Sequence, residues 1–114
     1  MMIQALSEAA VLGKAYGIDP GLLMETLNAA LFQSPFYGAY IKLILNPPEP
    51  PGGTIELGQK DLHLFLSAAR DEKVRLAVAE LMETRFAEAV ASGLGNTDWA
   101  AGLLQAAENA AKTK

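Results

Sequence analysis

The side chains best placed to do chemistry in this sequence are Lys60, Asp61 and His63, which fall on one predicted helix. On a wheel of about 100° per residue, Leu57, Leu62, Leu64, Phe65, Leu66, Ala68 and Ala69 fill one broad apolar arc. Gln59, His63, Ser67 and Arg70 lie opposite, Lys60 sits at the edge, and Asp61 falls inside the apolar arc. A carboxylate there is costly unless it is paired or hydrogen-bonded. Two accounts fit: an acid near a helix start, favoured by the dipole and the free N–H groups, or a charge held for an interface or a ligand. Lys60 on its own reads as a solvated lysine. His63 is the sole histidine, so it reads as a surface or interface residue and cannot alone build a His-based metal centre or argue for a Ser-His-Asp set. With no cysteine and no Gly-rich turn following a strand, the residues nominate no catalytic group and no metal ligand.

These side chains need helices to position them, and helical spacing dominates the chain. Met2, Ala5, Leu6, Ala9, Leu12 and Tyr16 recur at steps of three and four, with Gln4, Ser7, Glu8 and Lys14 between them. This first helix starts without a cap and ends at Gly17, reading as the remainder of a longer helix. Asp19-Pro20 supplies an N-cap and a proline at the first helical position; Leu22, Leu23, Leu27, Ala30 and Leu31 are its expected buried side. Ser34-Pro35 repeats the device before a third helix with Phe36, Tyr37, Tyr40, Ile41 and Ile44, whose aromatic residues read as core. Asn46 to Gly53 holds four prolines and two glycines in eight residues, which dictates a loop. A fourth helix is expected from about 55 to 69 and a fifth from about 74 to 91. After the break at Gly93-Leu94-Gly95, Asn96, Thr97 or Asp98 caps a sixth, in which Trp99 is a large anchor whose N–H finds a carbonyl. No segment alternates with period two and no internal repeat is visible, so the expected fold is all-α, one domain of about six helices.

Composition narrows the function classes. The chain is 51% hydrophobic and 19% charged, with a net charge of −4, which suits a globular domain and disfavours binding to a phosphate backbone. The apolar N-terminus lacks the basic start of a secretory signal, Glu8 interrupts it, and no run of 18 apolar residues occurs. No membrane span and no nucleic acid partner are expected, and a cytoplasmic location is.

Three ordered stretches carry a resemblance. The first runs from Ala5-Leu6-Ser7-Glu8-Ala9 through Tyr16-Gly17-Ile18-Asp19-Pro20-Gly21-Leu22-Leu23, with Thr26-Leu27-Asn28-Ala29 behind it. The second is Lys60-Asp61-Leu62-His63-Leu64 followed by Ala68-Ala69-Arg70. The third is Ala91-Ser92-Gly93-Leu94-Gly95-Asn96-Thr97-Asp98-Trp99-Ala100-Ala101. Together they resemble the C-terminal helical domain of the β-hydroxyacid dehydrogenases, the group with 3-hydroxyisobutyrate dehydrogenase and the glyoxylate/succinic semialdehyde reductases. The implied fold is that of the C-terminal domain of 6-phosphogluconate-dehydrogenase-like proteins.

The resemblance implies a partner Rossmann domain that binds NAD or NADP, a catalytic lysine on a long interdomain helix, and a helical domain that closes over the nicotinamide and supplies oligomer contacts. These 114 residues contain neither the Rossmann turn nor the lysine signature, and Lys14 stands too late to match the catalytic lysine. Lys60 and Asp61 match the family's Lys-Asp pair at the cofactor cleft, with Lys60 contacting the dinucleotide. The resemblance thereby favours a ligand role for Asp61 over the dipole account. Two departures stand out: Gly53 occupies the position where many members carry a phenylalanine near the nicotinamide, and the turn before the fifth helix reads Lys73-Val74-Arg75-Leu76. The expected function is the cofactor-cleft and oligomerisation domain of an NAD(P)-dependent β-hydroxyacid dehydrogenase, catalytically incomplete by itself, with no cofactor bound by this chain alone and a homo-oligomer as its assembly. The competing reading is a free-standing helical interaction module on the same scaffold.

Overall fold

In the computed structural model, which describes residues 1–112, the backbone is helical throughout apart from its turns and loops. The order is α1 (Met2–Ala15), α2 (Pro20–Leu27) running into a π-helical turn (Asn28–Phe32), α3 (Pro35–Leu45), α4 (Ile55–Asp71), α5 (Ala77–Ala91) and α6 (Trp99–Ala111). α1 lies along α6, α4 along α5, and α6 also meets α3, α4 and α5, so the last helix is the hub. Ile3 and Leu6 of α1, Met24 of α2, Ile41 of α3, Ile55 of α4, Phe86 of α5 and Leu103 of α6 meet in one core. No strand occurs among the described residues, which fixes the class as all-α. No helix among them is long and apolar enough to cross a membrane.

Local signals explain most boundaries. Asp19 caps α2 by accepting from the Leu22 N–H at 2.9 Å, with Pro20 at the first helical position. Gly17, at φ 80°, takes the left-handed conformation that ends α1. Ser34 does sit at the N-cap position of α3, but its hydroxyl caps nothing; its backbone N–H instead donates to the Asn28 side chain at 3.3 Å. α5 starts at Ala77, three residues later than the spacing suggests. The cause is Lys73, held at φ 57° while Val74 N–H donates back to Ala69 at 2.8 Å, which terminates α4 by a left-handed turn without a glycine.

The buried faces also differ in phase from the pattern. α1 buries Ile3, Leu6, Ser7, Ala10 and Gly13, while Leu12 and Tyr16 point outward. Ser7 is fully buried because its hydroxyl donates to the Ile3 carbonyl one turn back, at 2.8 Å. Gly13 lets Leu23 pack closely onto α1: a Cβ there would stand 2.6 Å from one of its methyls. In the second segment Met24 is buried with Leu23 and Leu27 partly so, whereas Leu22, Ala30 and Leu31 are exposed. Of the aromatic residues of α3, Tyr37 and Tyr40 are half-buried and pack against the core, whereas Phe36 is exposed.

The entry to α4 is fastened to the entry to α6. Thr54 caps α4 by accepting from Leu57 N–H, and the next free donors go to the other loop, Ile55 N–H to Thr97 O at 3.1 Å and Glu56 N–H to Gly95 O at 3.0 Å. In return Trp99 N–H donates to Gly53 O at 3.0 Å. Of the three possible caps for α6, Asp98 is the one used: its carboxylate accepts from Ala100 and Ala101 N–H at 3.0 and 3.1 Å. The Gly95–Trp99 stretch is therefore the clasp that sets where α4 begins and which way it faces.

Candidate functional site

α4 is the helix that carries the predicted site, and its wheel divides into three strips rather than two. Ile55, Gly58, Leu62, Leu66 and Ala69 face the core, with Gly58 letting the Phe86 ring of α5 come so close that a Cβ would stand 2.9 Å from it. Gln59, His63, Ser67 and Arg70 form the polar strip along the groove between α4 and α5. The third strip contains Leu57, Asp61, Leu64, Phe65 and Ala68, and all five are exposed. Leu57 is 48%, Leu64 63% and Phe65 53% exposed, so half of the apolar arc is not core at all.

Asp61 stands in the middle of this exposed strip. It has no hydrogen-bond or ion-pair partner among the described residues and faces solvent, so its charge carries no burial cost in this chain. The dipole account fails on position: α4 begins at Ile55, its first-turn acid is Glu56, and Asp61 is the seventh residue, beyond the reach of the helix end. What calls for a reason is the set of large apolar side chains around it, which a solvent-facing helix strip has no cause to hold. Lys60 is exposed where this strip borders the polar one, also without a partner among the described residues.

The other charged candidates are engaged elsewhere. His63 Nε2 faces Glu83 Oε1 at 3.3 Å, tying α4 to α5 at the surface as an interface histidine. Lys14 pairs with Glu108 at 3.2 Å between α1 and α6, a structural tie. Among the described residues no three His, Cys, Asp or Glu side chains gather as a metal site would require.

One neighbour of the strip is the residue read from the sequence as the anchor of the sixth helix. Trp99 is half-buried and, against the expectation, its indole N–H finds no carbonyl among the described residues; no buried side-chain nitrogen or oxygen among them lacks a partner, so the indole N–H reaches solvent. Its ring stands edge-on to Tyr40 at 5.4 Å and 80°, and Tyr40 in turn lies 4.5 Å from Phe36. A Cβ on Gly53 would stand 3.5 Å from Trp99 Cδ1 and 4.0 Å from Leu57 Cδ2. Gly53 thus sits where the aromatic end of α6 meets the exposed strip of α4, and Leu57 leads one helical turn on to Asp61.

Comparisons with known proteins give the chain a family. Residues 1–105 match the family described as NAD-binding of NADP-dependent 3-hydroxyisobutyrate dehydrogenase. An uncharacterized oxidoreductase, YfjR of Bacillus subtilis (strain 168), is 37% identical over 101 residues, which cover 88% of this chain and 35% of that protein. Glyoxylate/succinic semialdehyde reductase 1 of Arabidopsis thaliana is 27% identical over 100 residues, again 88% of this chain and 35% of the relative. The chain therefore spans about a third of the length of these two relatives.

Proposed function

The chain belongs to the NAD-binding family of NADP-dependent 3-hydroxyisobutyrate dehydrogenase, and from this premise we propose that it is the C-terminal helical domain of an NAD(P)-dependent β-hydroxyacid dehydrogenase. In this reading the exposed strip of α4 borders the cofactor cleft, with Asp61 and Lys60 as the cofactor-binding residues. The observation that carries it is the strip itself: a carboxylate without a partner among the described residues, ringed by exposed Leu57, Leu64 and Phe65 on a helix whose opposite side is core.

The residues present suit a dinucleotide. Asp61 accepts hydrogen bonds from amide or hydroxyl groups, the Lys60 ammonium donates to phosphate or ribose oxygens, and the leucine and phenylalanine side chains cover a flat ring. When bound, the nicotinamide accepts or gives a hydride, chemistry that belongs to the cofactor. This chain's share is to bind, orient and exclude water. Hydride transfer also needs a placed acid or base and a phosphate-binding turn, and these 114 residues supply neither. The purified chain is expected to show no NAD(P)-dependent turnover of 3-hydroxyisobutyrate or other short hydroxyacids; measurable turnover would overturn the assignment. The cytoplasm is the proposed location.

Self-association belongs to the same proposal, and it is also where the second reading, a helical interaction module, draws its support. Large apolar side chains stand in solvent at the corner of α1 and α2, where Leu12, Tyr16 and Leu22 are 63%, 80% and 62% exposed. Leu31 and Phe36, around the start of α3, are exposed as well. Apolar surface of this kind marks a contact with another chain. Sedimentation at high micromolar concentration is expected to show dimers or larger species, and a clean monomer would count against both the oligomer role and the module. The dehydrogenase reading is favoured because neither α1 nor α3 accounts for Asp61 and its apolar neighbours on α4.

A further inference from the structure

We infer that two copies of this chain pair through the outward face of α1: the two helices cross antiparallel at Leu12, and Tyr16 of each copy donates its hydroxyl to Glu8 of the other. The inference rests on the reading that the chain self-associates, and it names the face and the contacts that do so.

The first support is spacing. The core side of α1 holds Ile3, Leu6 and Ala10, while Glu8, Leu12 and Tyr16 are exposed on the other side. Steps of four residues stack these three along one face. A twofold axis at Leu12 sets the residue one turn after it against the residue one turn before it. Leu12 then meets Leu12, and Tyr16 meets Glu8 twice, as a closed, self-complementary contact requires.

The second support is chemistry. Glu8 Oε1 accepts from the Gln4 side chain at 2.7 Å, and its carboxylate forms no ion pair among the described residues. Tyr16, at the C-cap of α1, is 80% exposed, and its hydroxyl makes no hydrogen bond among them. A phenol donating to a carboxylate is a charge-assisted bond. Donor and acceptor stand roughly 12 Å apart along the same helix, so they cannot meet within one chain, and a second copy brings them together.

The third support is shape. Glu8 and the 63% exposed Leu12 border a groove of about 1100 Å³ between α1, α5 and α6, with Ala106 and Ala107 in its lining. A Tyr16 ring arriving at Glu8 lies against this groove. The volume exceeds the roughly 300–1,000 Å³ usual for a small ligand, and tyrosine is a residue that anchors interfaces by filling a neighbour's hollow.

The chain has no cysteine, so a single introduced one reports proximity cleanly. Leu12→Cys, oxidised with glutathione disulfide at high micromolar concentration, is expected to form a disulfide-linked dimer at least about tenfold faster than Leu31→Cys, a site as exposed. Sedimentation equilibrium then reads affinity. Leu12→Glu is expected to abolish the dimer, because it sets two carboxylates face to face on the axis. Tyr16→Phe and Glu8→Ala are each expected to weaken it about tenfold, and the double variant no more than either alone. Circular dichroism confirms that each exposed-site variant is folded. Equal rates for the two cysteines, or losses at Tyr16 and Glu8 that add in full, overturn the inference. A parent that dimerises as tightly as Leu12→Glu removes this face and leaves self-association standing; a monomeric parent removes both.

Discussion

Asp61→Asn and Lys60→Ala, made in the longer dehydrogenase to which we assign this domain, are each expected to weaken cofactor binding by about tenfold to over a hundredfold. The figure follows from one charge-assisted hydrogen bond to a ligand, roughly 1.5–3 kcal/mol, converted to affinity. The same substitutions in this chain alone are expected to change stability by no more than about 0.5 kcal/mol, the range for surface positions away from caps and buried partners. The contrast is the informative part. Asp61 and Lys60 are exposed and make no hydrogen bond or ion pair among the described residues, so the fold has nothing to lose with them. Isothermal titration of NADP and NAD into the full-length variants, beside thermal melts of the chain, checks both halves. A loss of several kcal/mol of stability from Asp61→Asn would make the residue a structural partner and end its assignment to the cofactor cleft.

Asp98→Ala is expected to do the reverse, costing this chain about 2–3 kcal/mol. Losing an N-cap carboxylate typically costs about 1 kcal/mol, up to about 2. Here the cap is 5% exposed and Ala100 is fully buried, so a donor is left dry without an acceptor, which adds a penalty of the order of 1–3 kcal/mol. The loop that Asp98 closes also takes the first two N–H groups of α4, through Thr97 and Gly95 carbonyls at 3.1 and 3.0 Å, so loosening it frees the start of the site helix. Asp98→Asn keeps the acceptor and ranks as an equal cap, and it is expected to stay within about 1 kcal/mol of the parent. Urea denaturation of the three chains gives the comparison; an Asp98→Ala midpoint equal to the parent's would show that the clasp does not hold α4 in place.

The parts of this fold legible in the sequence are those that single residues dictate. Asp19-Pro20 starts a helix because a short acid accepts the free N–H groups while proline has the required φ and no N–H to waste. The prolines and glycines of 46–53 exclude a helix for the same kind of local reason. Phase is harder. The α1 stripe was one residue out because alanines lie on both sides of the helix and because Ser7, polar by type, is buried by bonding to its own backbone. The start of α5 was hidden by a lysine, Lys73, doing what glycine usually does.

At the site, the wheel placed Asp61 among apolar residues, and that holds. It did not reveal that the arc is two strips, a core one and an exposed one. Both kinds of strip use the same residue types, because a face that meets another body needs the same apolar side chains as a face that meets the core. The nearness of Trp99 to Gly53 emerges only in three dimensions, since it follows from the clasp between two loops far apart in the chain.

The most direct test of the account is a crystal structure, with bound dinucleotide, of the longer dehydrogenase to which we assign this domain. The account predicts that Leu57, Asp61, Leu64 and Phe65, all exposed here, are covered there, with Lys60 and Asp61 within hydrogen-bonding distance of the cofactor. A dinucleotide bound elsewhere, with the α4 strip still open to solvent or covered by a second copy of the helical domain alone, would contradict it.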